Sequence, residues 1–229
     1  MSTIDDLSRL PPPAPPPLSP LLEAELAELP PVATRRPMRQ LVLLVAISLI
    51  YGAGVLAMLT MRRDLHELPM GWLVGAGLTW LLGFVAPVYL ATVPRSGAVL
   101  PRWQLAGVSA IAGALGFIGL GLLLHPSGPS SAHLDWAGFG RGHGCLEFGL
   151  ATALVPVVGG AIFLRGALPI GSRWIAAALG AGGGSLGGLM LHLHCPITDG
   201  LHVGLMHGGV VAIAALLAAA LVPRATDLR

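Results

Sequence analysis

The chain has 229 residues, of which 54% are hydrophobic and only 10% are charged, and its mean hydropathy is +0.78. Because a soluble domain carries about 25% charged residues, this composition excludes an ordinary soluble protein and indicates one that crosses a membrane several times. The net charge of +2 gives no electrostatic footprint for nucleic acid, and two cysteines are too few for a disulfide framework.

Residues 1–39 predict a proline-rich cytoplasmic tail. The tail begins with acidic rather than basic residues, so it does not have the pattern of a cleaved signal peptide. The stretch "LSPLLEAELAELPPV" predicts a short acidic amphipathic helix over about residues 19–29, with Ser19 as its cap and Pro20 in its first turn. Such a short helix is marginal alone, so the segment is expected either to dock into a groove of a basic protein or to be a disordered tail with incidental helicity. The predicted partner-binding residues are Leu22, Glu23, Leu26 and Leu29.

Six apolar runs follow, and each is long enough to cross about 30 Å of hydrocarbon as a helix. They lie near 41–60, 72–93, 104–124, 145–164, 174–193 and 203–222. The predicted fold is therefore an all-α polytopic membrane protein, with a membrane domain over 40–222 and a C-terminal end over 223–229. The glycine-rich stretch "GAGGGSLGG" has small-xxx-small spacing that lets helices approach closely, and the short loop after it makes spans five and six antiparallel neighbours.

The arginine distribution predicts how these spans are oriented. Ten of the 13 arginines fall on one side of the six-span plan and three on the other, so the positive-inside rule places both termini in the cytoplasm. With this topology all eight histidines and both cysteines lie on the outer side of the membrane.

The clustered cysteines and histidines predict a metal site. Thiolate and imidazole are the ligands that zinc and copper prefer, so a zinc or copper ion is the expected cofactor. Glu147 is expected to serve as a ligand, as an acceptor for an imidazole N–H or as a partner of Arg141. Two alternatives remain open: a Cys145–Cys195 disulfide in an oxidising compartment, and interfacial histidines that bind nothing. The predicted ligands are His143, Cys145, His192, His194, Cys195, His202 and His207.

Three motifs in the second half of the chain are fairly specific in combination. They are Cys145-x₃-Gly149-Leu150, Leu164-Arg165-Gly166-Ala167 followed by Pro169, and His194-Cys195-Pro196. With the glycine-rich span and the final helix, they make residues 143–222 similar to the NrsF-type family, the six-span inner-membrane anti-sigma factors of bacteria. The resemblance implies that the N-terminal segment holds an extracytoplasmic-function sigma factor and that the membrane part senses a signal. It also implies that the family's two cysteines correspond to Cys145 and Cys195, whereas the proline-rich tail departs from the shorter, more basic N-terminus expected of the family.

The sequence therefore predicts an inner-membrane anti-sigma factor that is not an enzyme and that senses a metal or an oxidant at its outer Cys/His cluster. Its expected partners are the sigma factor and the lipid bilayer, with no direct contact to nucleic acid. An intramembrane metalloenzyme could use the same ligands with Glu147 as general acid/base, but no HExxH motif is present. A metal transporter would place ligands near mid-membrane or on both faces. A sigma factor bound to the tail would distinguish the regulator from both alternatives.

Overall fold

The computed structural model describes residues 19–20, 35–94, 100–123, 142–165 and 172–226. The chain divides between Arg35 and Arg36, and the helices described below belong to the second unit, Arg36–Arg229. The predicted tail helix, with Leu22, Glu23, Leu26 and Leu29, lies outside the described residues. So do Arg141, His125 and His133.

Within its described residues, the second unit contains six long helices and one π-helical segment. The helices are α1 (Pro37–Leu59), α2 (Met70–Thr92), α3 (Arg102–Leu123), α4 (His143–Leu164), α5 (Ser172–His194) and α6 (Gly208–Thr226). The π-helical segment, His202–His207, runs directly into α6, and the sixth candidate span covers His202–Ala225. All six spans are long and apolar enough to cross a membrane, and the described ranges contain no strand. The predicted all-α fold with six such helices is therefore confirmed, and each predicted span overlaps its helix.

Helix α5 lies at the centre of the bundle because its glycines let three other helices approach its backbone. A Cβ on Gly182 would meet a backbone atom of α2 at 2.9 Å, and one on Gly183 would meet α4 at 2.9 Å. A Cβ on Gly184 would meet the backbone of α6 at 2.6 Å. The most apolar window of α5 is 89% buried, against 22–56% for the other five spans. The predicted close packing through small residues is thus the basis of the bundle.

The peripheral helices pack one apolar side on this centre and leave the other exposed. Phe84 and Val88 of α2 and Leu44 of α1 are almost fully buried in the same core as Leu179 of α5. On the outer side of α1, Met58 is 85% exposed. Large apolar side chains exposed along a helix are what a helix suited to face lipid presents.

One end of the bundle gathers the chemistry-bearing side chains. There α1, α3 and α5 finish, while α2, α4 and the π-helical segment begin. We call it the histidine end, because each histidine within the described ranges lies there. These residues are His66, His143, His192, His194, His202 and His207.

Candidate metal centre

Four side chains from three separate elements converge at the histidine end. Cys145 lies in the first turn of α4, Cys195 directly follows α5, and His202 and His207 belong to the π-helical segment. One ligand atom from each of the four lies within 4.8 Å of all the others. The two sulfurs are 3.5 Å apart, and the Cys195 sulfur is 3.4 Å from Nε2 of His202. We call this set the Cys/His cluster; three members are buried and Cys145 is half-buried.

The two cysteines of the cluster are free thiols. Their sulfurs are 3.5 Å apart, well beyond the bond length of about 2.05 Å in a disulfide. The hydrogen bond shared with Cys145, followed by burial, raises the pKa of the Cys195 thiol above its ordinary value. A thiolate is the form of cysteine that binds a metal. A bound cation would therefore take the place of the proton on the buried Cys195 sulfur.

A short capped loop positions the second half of the cluster. Helix α5 ends at His194, and the Cys195 N–H still donates to the carbonyl of Leu191 at 2.8 Å, so Cys195 continues the helical direction. Four residues later, the Asp199 carboxylate accepts the backbone N–H of His202 at 2.9 Å. This is the geometry of an N-terminal cap, and it starts the sixth span where His202 can face back towards Cys195.

Gly142 is a site residue that sequence reasoning missed. A Cβ at this position would lie 2.6 Å from Nδ1 of His202, so only glycine lets the imidazole ring pack against the start of α4. The carbonyl of Gly142 also accepts the backbone N–H of Cys145 at 3.0 Å. The signal in the sequence was the glycine on either side of His143 in "RGHGC".

The other three predicted ligands lie outside the Cys/His cluster. His192 pairs through Nε2 with the carbonyl of Leu73 at 3.0 Å, and His194 pairs through Nδ1 with the carbonyl of Thr60 at 2.7 Å. His143 is exposed at the start of α4. The structure thus brings together four of the seven predicted ligands, while His192 and His194 bind the backbone around the α1–α2 loop.

Glu147 does not join the cluster either. It is exposed and lines an apolar groove between α4 and α6, together with Arg165. Its proposed partner Arg141 lies outside the described residues. This placement gives no support to Glu147 as a general acid or base at the Cys/His cluster.

The loop after α1 holds the segment that carries Cys195. The Arg62 backbone N–H donates to the carbonyl of Leu193 at 3.0 Å, and its guanidinium donates to the carbonyl of Pro196 at 3.4 Å. The same guanidinium forms two hydrogen bonds of 2.7 Å with Asp64, and this contact lowers the pKa of the Asp64 carboxyl. The sequence gives no means of predicting that Arg62 contacts Leu193 and Pro196, more than 130 residues away.

Comparison with models of protein families shows which family the chain matches. Residues 26–227 match the model of the family described as Negative regulator of sigma F, NrsF. The chain belongs to the NrsF family. The resemblance expected from the sequence motifs is therefore confirmed, and the NrsF match spans the whole Cys/His cluster and begins within the predicted tail. No curated protein and no solved structure matches the chain significantly.

Proposed function

We propose that this chain is an anti-sigma factor of the bacterial inner membrane that holds an extracytoplasmic-function sigma factor inactive. The observation that carries the proposal is the match of residues 26–227 to a family described as negative regulators of sigma F. The six helices suited to crossing a membrane support the location. The regulator acts on the sigma factor itself, so the role calls for neither DNA contact nor catalysis.

The proposed contact with the sigma factor is the helix of the N-terminal tail, residues 1–39. Its apolar stripe would fill a groove on the sigma factor, its acidic side chains would face basic residues there, and the helix would mask a surface with which the sigma factor binds RNA polymerase. Burying one leucine contributes about 1.5–3 kcal/mol, so losing two weakens binding by about a hundredfold or more. The contact residues are Leu22, Glu23, Leu26 and Leu29.

Co-purification from detergent-solubilised membranes tests this contact. The double variant Leu22→Asp, Leu26→Asp should no longer retain the sigma factor, which mass spectrometry identifies in the unaltered protein. Leu10→Asp is the matched control, because it makes the same change outside the predicted helix. If the double variant retains the sigma factor as well as the control does, the contact lies in another segment.

The proposed topology places both termini in the cytoplasm, with the membrane domain over 40–222 and a cytoplasmic C-terminal end over 223–229. It rests on the ten-to-three arginine distribution. Reporter fusions after Arg39 and Arg224 should show cytoplasmic location, and a fusion at Ser131 should show periplasmic location. A cytoplasmic Ser131 would overturn the topology and, with it, the outer position of the histidine end.

The Cys/His cluster is the proposed receptor for the signal, either a metal or an oxidant. Its members come from α4, from the end of α5 and from the start of the sixth span, so a ligand joining them favours one packing of these helices over another. With both cysteines changed to serine, a sigma-dependent reporter gene should no longer respond to metal or peroxide. The tail should still hold the sigma factor. A normal response from the double variant would remove the cluster from the signalling pathway.

A further inference from the structure

Two of the distances within the Cys/His cluster are close to the edges of a zinc tetrahedron. Zinc lies about 2.3 Å from sulfur and about 2.0–2.1 Å from nitrogen, so tetrahedral ligand atoms are separated by about 3.3–3.8 Å. The sulfur–sulfur distance is 3.5 Å, the distance from the Cys195 sulfur to Nε2 of His202 is 3.4 Å, and all four ligand atoms lie within 4.8 Å of one another. The two shorter pairs are already within about 0.3 Å of these values, and the pairs that are up to 4.8 Å apart would have to shorten by up to about 1.5 Å for one ion to bind all four atoms.

The π-helical segment explains how two histidines of one helix can serve the same site. His202 and His207 are five residues apart, and in an α-helix this spacing would turn their side chains about 140° away from each other. The Gly208 N–H instead bonds the carbonyl of Val203, five residues back. This wider turn brings residues five apart onto one side, and the two rings pack edge to face with centroids 5.1 Å apart.

Ligand type, burial and charge favour a divalent ion such as zinc, for which a tetrahedral set of two sulfurs and two nitrogens is typical. His202 is fully buried, and Cys195 and His207 are nearly so. Nε2 of His207 is buried without a hydrogen-bond partner in the described part of the chain. Two thiolates and two neutral imidazoles carry a charge of −2, which a divalent ion cancels, and a neutral site avoids the high free energy of a buried net charge. Calcium and magnesium are excluded because they take oxygen ligands.

We propose that Cys145, Cys195, His202 and His207 bind a single zinc ion in a closed tetrahedral site. The ion joins the start of α4, the end of α5 and the start of the sixth span. Four protein ligands leave no coordination position for a substrate, as in structural rather than catalytic zinc sites. The inference rests on the proposed function only in taking the cluster as the receptor for the signal; zinc binding itself does not depend on sigma-factor capture.

Elemental analysis of the chain, purified in detergent, tests the assignment. The unaltered protein should contain zinc in equimolar amount, and cobalt exchanged into it should give the absorption bands of a tetrahedral thiolate complex. His207→Gln and Cys195→Ser should each lose the zinc. His143→Ala should retain it, because His143 lies outside the cluster, and it is the control that separates this ligand set from the one predicted by sequence.

A second variant separates lost ligation from lost folding. His207→Cys supplies another ligand at the same position, so it should retain zinc while His207→Gln does not, with both showing the helical circular dichroism of the unaltered protein. Zinc absent from the unaltered protein and not taken up on addition, or retained by His207→Gln and Cys195→Ser, would overturn the proposal. Loss of zinc from His143→Ala would also overturn it. Failure of the proposed anti-sigma function would instead appear as absence of the sigma factor from a protein that contains zinc.

Discussion

Gly187→Ala should disturb the Cys/His cluster without touching any of its members. A Cβ on Gly187 would overlap the carbonyl oxygen of Gly149, and the carbonyl carbon would lie only 2.9 Å away. Since carbon atoms pack best at about 3.5–4.0 Å, α4 must move away from α5 by about 1 Å. Both atoms in the way belong to backbone, so no side chain can rotate to make room.

The expected loss of stability follows from two opposing terms. Overpacking of a tight contact costs up to about 3 kcal/mol, and replacing glycine by alanine in a helix returns about 1 kcal/mol. The net loss of about 2 kcal/mol lowers the ratio of folded to unfolded protein by a factor of about 30. Denaturant titration in detergent, followed by circular dichroism, measures this loss.

The same displacement should separate the two sulfurs. Cys145 lies one turn before Gly149 on α4, so a shift of about 1 Å exceeds the tolerance of about 0.2 Å for metal–ligand distances. Zinc affinity should fall, and oxidant-induced cross-linking of Cys145 to Cys195 should slow. Gly144→Ala is the matched control: its Cβ would meet nothing within 4 Å, although it adjoins Cys145. Equal stability and equal cross-linking rates for the two variants would refute the packing argument.

Three further predictions concern the surroundings of the cluster. Gly142→Ala should push the ring of His202 aside and weaken zinc binding about tenfold, as changes next to metal ligands do; competition with a chelator measures this. Asp64→Asn should reduce stability by about 1–2 kcal/mol. Because the folded-state pKa of Asp64 is lowered, its contribution to stability is present above the unfolded-state pKa of about 4 and is lost as pH falls through the lower folded-state value. In that acidic range the free energy of unfolding should fall in the unaltered protein and should change less in Asp64→Asn. His194→Leu should cost about 1 kcal/mol through its lost hydrogen bond to the α1–α2 loop yet leave the zinc content unchanged, and zinc loss from this variant would place His194 among the ligands.

The sequence was sufficient to predict the helices because lipid imposes a strict rule on length and polarity. Each span overlaps the predicted run, and the glycines near Gly184 were predicted to mediate packing from their spacing alone. The proximity of Cys145 and Cys195 also followed, since one begins α4 and the other ends α5 and the two helices are neighbours.

The choice among seven candidate ligands could not be predicted in the same way. A 3.6-residue period places His202 and His207 on different sides of a helix, and only the π-helical segment reverses this. His192 and His194 look like better ligands beside Cys195, but carbonyls at Leu73 and Thr60 bind their rings. Those carbonyls lie more than a hundred residues away in sequence. Every residue has a backbone carbonyl, so residue type does not show which carbonyl pairs with a histidine ring.

The central position of α5 has a consequence for how the protein is made. Its mean hydropathy of 1.4 is the lowest of the six spans, while its neighbours α4 and the sixth span reach 1.8 and 2.3. A segment rich in glycine partitions weakly from the insertion machinery into lipid by itself, since it offers few large apolar side chains. Insertion of α5 into the bilayer therefore depends on earlier helices that are already inserted next to it. A chain that ends before the sixth span would leave one side of the α5 glycine backbone uncovered.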